Sequence, residues 1–341
     1  MKATIGKKEE TNVQGKTAVA VGIVFSLVFT GLIWWAGQYL DRSNFLPKQG
    51  PFWYFWKLPD PTFWTHATAW GFYGLHQLAL WGLIFYAQTK VKKYSASLHR
   101  VNIIALGVNA LFIILHFIQT HLWYDGLAQD VSVQSSQYSV IVLLIWVLLM
   151  ENRRRGLFIG KKLPITQQIT SFARKYHGYY FAWATVYTFW FHPMESTPGH
   201  LVGFLYMFFL LLQGSLFFTR IHANKYWTFV QEITVLFHGT LVAIVQGNNL
   251  WPMFFFGFAG IFVITQMHGL NLSKWTKWLI LAAYIIAATA VYSWRGWGKL
   301  YELVSIPLIE YLGVAVLALL FGIGLRLFGD RPRKVTPIPQ N

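Results

Sequence analysis

Hydrophobic residues occur along this chain in long runs, and a short polar or basic stretch separates each run from the next. A helix needs about 20 predominantly apolar residues to cross the hydrocarbon core of a bilayer. Ten runs qualify, of which the fourth and fifth are short and are expected to include flanking residues. These runs predict an all-α, polytopic transmembrane helix bundle with ten spans, at residues 17–40, 63–89, 101–123, 137–151, 177–192, 200–219, 226–246, 250–269, 276–294 and 303–326.

Composition agrees with a membrane protein, because 55% of the 341 residues are hydrophobic and only 12% are charged. Soluble domains carry about 25% charged residues. The net charge of +16 would suit nucleic-acid binding if the basic side chains formed one surface, but they fall in the gaps between the hydrophobic runs. We therefore expect membrane lipids as partners and no nucleic acid.

The basic residues are distributed unevenly between alternate gaps. Of the 28 Lys and Arg residues, 23 lie in the two tails and in or beside every second loop, while the other loops carry only five of them but half of the 12 acidic residues. Lys and Arg accumulate on the cytoplasmic side of membrane proteins. This pattern predicts that both termini are cytoplasmic.

The predicted organisation is a polar cytoplasmic tail at 1–16, one transmembrane domain at 17–328 and a cytoplasmic tail at 329–341. The first run is long and lacks a small-residue cleavage site, so we expect a retained first helix and no cleaved signal peptide. A bacterial cytoplasmic (inner) membrane would suit these features. The aromatic stretch PFWYFWKLPDPTFW at 51–64 is expected to lie along the outer interface, where amphipathic rings are favoured.

The histidines suggest where chemistry takes place. The predicted topology puts two of them near the membrane midplane, His76 and His238, and five others in the outer third, on spans two, three, five and six. The chain has no cysteine, so a metal would need nitrogen or oxygen ligands. Neutral imidazole suits iron and copper. The metal ligands predicted on this basis are His66, His116, His121, His192 and His200.

The decapeptide FHPMESTPGH at 191–200 is predicted to be the outer turn between spans five and six, because its two prolines interrupt helices. It contributes Glu195, a candidate ligand or general base. Asp125 follows His121 by four residues, which is one helical turn, and is expected to orient that imidazole. The resulting hypothesis is a membrane metalloprotein, a redox enzyme or electron-transfer component, whose substrate is lipophilic or delivered from outside.

Haem b is a second cofactor hypothesis, with His76 and His238 as axial ligands near the midplane. Gly71, Gly74 and Gly239 would leave room for a porphyrin.

Two further hypotheses need no cofactor. The first is a membrane transferase that modifies a lipid or glycan at the outer face, with His192, His200, Glu195 and Asp125 as acid–base groups. The second is a proton-coupled transporter in which Glu232, beside Gln231 and six residues before His238, forms an interior proton path. A purely structural role is a further alternative. The sequence favours an oxidoreductase narrowly, because so many imidazoles share one depth.

Overall fold

The computed structural model describes residues 10–41, 45–47, 55–247 and 249–328. The predicted cytoplasmic tail 329–341 and residues 1–9 of the N-terminal tail lie outside the described residues. Residues 51–54 of the aromatic stretch also lie outside them.

The described residues confirm the all-α prediction. They form ten α-helices and one pair of short antiparallel strands, β1 (Glu10–Gln14) and β2 (Ser97–His99). The helices are α1 (Gly15–Ala36), α2 (Phe63–Lys90), α3 (Arg100–Trp123), α4 (Val133–Arg155), α5 (Gln167–Phe189), α6 (Pro198–Ser215), α7 (Lys225–Val245), α8 (Trp251–Ile264), α9 (Lys274–Arg295) and α10 (Tyr301–Phe328). Each helix overlaps one of the ten predicted spans.

Eight of these helices are long and apolar enough to cross a membrane, so the chain is a multi-pass membrane protein. The eight are α1, α3, α4, α6 and α7, α8 together with the 3₁₀ turn Gln266–Gly269, α9, and α10 together with the 3₁₀ turn Trp297–Lys299. α2 and α5 are as long as the others but contain more polar residues.

α4 and α5 are longer than the hydrophobic runs that predict them. α4 includes four residues before its run and four after it, and α5 begins ten residues before its run. Thr166 caps α5 by accepting a hydrogen bond from the backbone of Ile169. A helix can extend into polar residues where a capping side chain or a neighbouring helix stabilises its end. The hydrophobicity of the sequence does not show such extensions.

Loops from alternate connections meet at opposite ends of the bundle. At one end, Ser95 exchanges backbone hydrogen bonds with Phe218 and Arg220, and Ile159 donates to Ile264. We call this the basic end, defined by loops 91–99, 156–166, 216–224 and 265–273. The other end, which we call the site end, contains residues 37–41 and 55–62 and loops 124–132, 190–197, 246–250 and 296–300.

The core of the bundle lies around α6, which contacts α1, α3, α5 and α7. The largest buried side chains there are aromatic, including Phe189, Trp190 and Phe208. A second core joins α4, α5, α8 and α10 around Trp146 and Leu149. Both cores pack against α5, whose C-terminal end leads directly into the decapeptide turn.

Candidate functional site

The predicted turn between α5 and α6 forms at the site end, but it ends at Thr197, because Pro198 begins α6. Trp190 and Phe191 accept backbone hydrogen bonds from Leu127 and Ala128, so two loops are joined side by side. A side chain at Gly126 would place its Cβ 2.6 Å from the carbonyl oxygen of Phe191, and this close approach requires glycine. Thr197 then caps α6.

The turn holds two imidazoles close together, and a third ring, from α7, lies near enough to act on one of them electrostatically. The ring centroids of His192 and His200 are 4.9 Å apart, and the two rings are nearly perpendicular. The ring of Trp56 also contacts His200 edge to face, with centroids 4.4 Å apart. His238 from α7 packs against the backbone of α6 near Gly203. The hydroxyl oxygen of Thr197 lies 2.8 Å from His200 Nδ1, within hydrogen-bond distance.

Burial lowers the pKa of His192 well below its usual range, and the neighbouring rings of His200, His238 and His116 act in the same direction. A protonated imidazole in that position would meet several other rings and little water. His192 is therefore neutral at physiological pH.

His116 is fully buried beneath the turn. Its Nε2 lies 2.9 Å from the carbonyl oxygen of His192, and its Nδ1 lies 3.2 Å from the side-chain oxygen of Gln119. A neutral ring carries one N–H, so Nε2 donates to the carbonyl and Nδ1 must accept. Exchanging the amide oxygen and nitrogen of Gln119 supplies that donor and also pairs its otherwise unpartnered nitrogen.

His66, at the start of α2, lies between two carboxylates. Its Nδ1 is 3.0 Å from Asp130 Oδ2 and 3.8 Å from Asp125 Oδ2. The indole N–H of Trp70, one helical turn further, donates to the same Asp130 oxygen at 2.7 Å. About a third of the His66 side chain and of the Asp130 side chain is exposed, whereas Asp125 is buried.

Burial raises the pKa of Asp125 to about 6. The backbone N–H of Gly126 donates to Oδ1 at 2.7 Å, and the nearby His66 ring also stabilises the charged form, but desolvation outweighs both. Oδ2 of Asp125 has no hydrogen-bond partner among the described residues.

Glu195 is fully buried inside the turn and accepts a hydrogen bond from the hydroxyl of Tyr124. Its second oxygen accepts from the backbone of Ser196 at 3.3 Å. Tyr124 follows α3 in a left-handed conformation with φ of 38°, which directs its side chain toward the turn. Glu195 thus links the end of α3 to the turn.

The expected pairing of Asp125 with His121 does not form. His121 Nδ1 contacts the carbonyl oxygen of Phe117 and Nε2 contacts that of Ala36. α3 ends at Trp123, so the helical spacing of four no longer applies at Asp125. The left-handed Tyr124 turns the chain, and Asp125 faces His66 instead.

His76 is fully buried and both of its ring nitrogens have protein partners. Trp190 donates to Nδ1 at 3.2 Å, and Nε2 lies 2.7 Å from the side-chain oxygen of Asn109. Asn109 in turn donates to Ser215 and to the carbonyl of Leu211. Binding a haem iron through His76 would require one of these hydrogen bonds to break.

Glu232, the predicted member of an interior proton path, pairs with Arg155 rather than with His238. The guanidinium Nη1 lies 2.7 and 3.0 Å from the two carboxylate oxygens, and both side chains are buried. Six residues correspond to about 600° of helical rotation, which leaves Glu232 and His238 about 120° apart on α7. The two side chains therefore face different helices.

The five predicted metal ligands separate into three environments. His192 and His200 share the turn with His116 beneath it, His66 joins the two aspartates, and His121 faces α1. Among the described residues, no group of three or more His, Asp or Glu side chains is arranged to hold a metal ion. Equal depth in the membrane did not bring the imidazoles to one point.

Sequence reasoning did not find the aromatic and polar partners of these groups. Trp56, Trp70, Tyr124, Asn109 and Arg155 come from other elements of the chain, between 33 and 144 positions from the residues they contact. No local motif marks such contacts. Two residues carried a signal: Asp130 is an acidic residue in a loop expected on the outer side, and Trp56 lies in the aromatic stretch at 51–64.

No protein family model, curated protein or solved structure matches the chain.

Proposed function

We propose that the protein is a multi-pass membrane enzyme that transfers a group to a hydroxyl of a lipid or glycan, with His66 as its general base. The observation that carries this proposal is the hydrogen bond of 3.0 Å between Asp130 and a partly exposed His66 ring. The site end has few basic residues, so the positive-inside rule assigns it to the outer side of the membrane.

The two aspartates prepare His66 for proton transfer. A carboxylate at Nδ1 holds the N–H on that nitrogen and leaves the lone pair on Nε2. Nε2 has no partner among the described residues, and the ring is partly exposed. The indole of Trp70 fixes Asp130 by donating to the same oxygen.

In the proposed reaction the acceptor hydroxyl binds beside Nε2. Its proton passes to His66 while its oxygen bonds to the acyl or glycosyl carbon of the donor, and the proton then passes to the leaving group. Asp125, with a pKa near 6, lies 3.8 Å from the ring and adds a second charge that stabilises the imidazolium.

The test compares membranes from a bacterial host that expresses the wild-type chain, His66→Gln, Asp130→Asn or the control Asp60→Asn. Asp60 is an exposed carboxylate of the same end of the bundle. Lipids and lipid-linked glycans are profiled by mass spectrometry. We expect a modified species in wild-type membranes that decreases by about 10²- to 10⁴-fold in His66→Gln, which is the usual contribution of a general base.

Asp130 positions the base and need not contact the acceptor. Asp130→Asn should therefore lower kcat with little change in KM, and Asp60→Asn should leave both unchanged. The proposal is wrong if wild-type membranes match those of an empty host, or if His66→Gln forms as much product as the wild type.

The metalloprotein hypothesis, with Fe, Cu or haem b, stays a competing prediction. Elemental analysis and an absorption spectrum of the protein purified in detergent test it directly. Stoichiometric metal that is lost in His192→Gln, with His66→Gln unaffected, would favour the metal over the acid–base mechanism.

A further inference from the structure

A narrow cavity lies between α4, α7, α8 and α10, away from the site end. Apolar side chains form most of its wall, including Leu148, Leu236 and Phe258. Four polar side chains also line it: Arg155, Glu232, Gln266 and Glu310. The cavity has room for water but for little else.

Glu310 is the polar group that the fold leaves unsatisfied. Its side chain is 2% exposed, and Oε2 has no hydrogen-bond partner among the described residues. An ionised carboxylate without a counter-ion is costly in an apolar interior, and a protonated acid is much less so. Glu310 is therefore held as a carboxylic acid, which can donate its proton to a water molecule in the cavity.

The ion pair of Arg155 and Glu232 lines the same cavity. Arg155 lies at the last residue of α4, next to the basic end, and only its Nη1 is paired with Glu232. Its Nε and Nη2 have no partner among the described residues although the side chain is buried. Buried polar groups in this situation usually bind ordered water.

We propose that Glu310 is an intramembrane proton-binding site, and that water in the cavity connects it to the basic end through the Arg155–Glu232 ion pair. Two residues with unpartnered buried atoms, Glu310 (Oε2) and Arg155 (Nε and Nη2), line one space that is large enough for water. The site is independent of the His66 site and supplies a proton exchange that the proposed transferase reaction does not require.

The other charged side chains that line the cavity are those of the Arg155–Glu232 ion pair. Arg155 on α4 and Glu232 on α7 are the only charged lining residues from those two helices, and they pair with each other. Next to α8 the polar lining residue is the neutral Gln266. On α10 itself, the hydroxyl of Tyr311 lies 2.8 Å from that of Thr265. Among the described residues that line the cavity, Arg155 is therefore the only cation, and its charge is balanced by Glu232 rather than by Glu310.

The first experiment labels the full-length protein in membranes with dicyclohexylcarbodiimide, which reacts with protonated carboxyl groups in apolar surroundings. The acid transfers its proton to a carbodiimide nitrogen, the carboxylate oxygen bonds to the central carbon, and migration of the acyl group to nitrogen gives a stable N-acylurea. Peptide mass spectrometry then identifies the modified residue. We expect the adduct on Glu310, with less adduct as the pH is raised.

Glu302 provides the matched control on the same helix. It is as buried as Glu310, but it accepts hydrogen bonds from Arg295 and Tyr292, so it is ionised and should not react. An adduct on Glu302 but not on Glu310, or no adduct on either, would overturn the proposal. This measurement needs no variant and does not depend on the His66 site.

The second experiment tests the water connection by infrared spectroscopy. The wild type should show a carboxylic C=O band that shifts after transfer to D₂O and that is missing in Glu310→Gln. A band that remains unshifted in D₂O would mean that the acid is sealed in the protein, and the proton-exchange proposal would then be wrong. His66→Gln should leave the band unchanged.

Discussion

Individual polar residues in this protein are defined by their partners rather than by their depth. His76 and His116 are both fully buried and each bonds to two groups, whereas His66 is partly exposed and keeps one nitrogen free of described partners. A ring with both nitrogens engaged contributes to stability, because breaking either bond leaves a buried polar atom unpaired at a cost of about 1–3 kcal/mol. A ring with one free nitrogen can exchange protons.

Asp125 should make stability depend on pH. Its pKa is about 6 in the folded protein and near 3.8 when exposed, so the folded state binds the proton more tightly. Folding is therefore favoured less as pH rises from about 4 to about 6, and the loss stays constant above that range. Asp125→Asn should therefore stabilise the folded protein more at pH 8 than at pH 4, by at most about 3 kcal/mol for two pKa units. The larger gain should appear as a larger rise of Tm in detergent at pH 8.

Asparagine can still accept the hydrogen bond from Gly126, so this variant removes mainly the charge. Asp60→Asn, at an exposed position, is the control and should shift Tm equally at both pH values. An equal shift for Asp125→Asn at pH 4 and pH 8 would show that the burial of its charge is not a cost to folding.

At the scale of elements, close packing depends on a few small residues where helices meet. A Cβ at Gly313 of α10 would collide with the side chain of Ile145 on α4, and one at Gly257 of α8 would lie 2.8 Å from Ile306. Further along α10, a Cβ added at Gly324 would have no neighbouring heavy atom within 4 Å. One helix therefore carries both a packed and an open glycine.

Gly313→Leu should destabilise the bundle, because added methylene groups in a packed interface cost about 1–3 kcal/mol. The matched variant Gly324→Leu should have no such cost and should gain slightly in helix propensity. Thermal unfolding in detergent measures both. Equal Tm values for the two variants would contradict the packing of α10 against α4.

At the scale of the whole molecule, the two ends of the bundle differ in charge and in content. The loops that define the basic end carry five Lys and Arg residues and no acidic residue, whereas those of the site end carry two Lys residues and five acidic residues, among them Asp125, Asp130 and Glu195, with His66 close by. Helix directions alternate, so loops that are neighbours in the structure are also alternate in the sequence. We expect the basic end to face the cytoplasm.

Cysteine labelling tests this topology without background, because the chain has no cysteine. Lys162→Cys lies at the basic end and Lys299→Cys at the site end, and both positions are exposed. In intact bacterial cells a membrane-impermeant maleimide should label only Lys299→Cys, and permeabilised cells should show both. Labelling of Lys162→Cys in intact cells would reverse the proposed orientation.

The sequence by itself determined the helical class, the ten helices and the turn at 191–200. Burial of apolar side chains and the effect of proline on helix limits are local properties, so they can be read from runs of residues such as 101–123, from Pro193 in the turn and from Pro198 at the first position of α6. Helix ends were less predictable. The helix α5 begins at Gln167, because the polar residue Thr166 caps it, and the hydrophobic pattern contains no information about this cap.

Only the tertiary structure decided which polar residues meet. Asp125 is one helical turn from His121 in sequence, but a left-handed Tyr124 directs it to His66. Glu232 pairs with Arg155, 77 positions away, and His192 joins His200 and Trp56 rather than His66. Helix rotation and lateral packing set these contacts, and residues at the same depth face different neighbours because periodicity along a helix carries no information about which helix lies beside it.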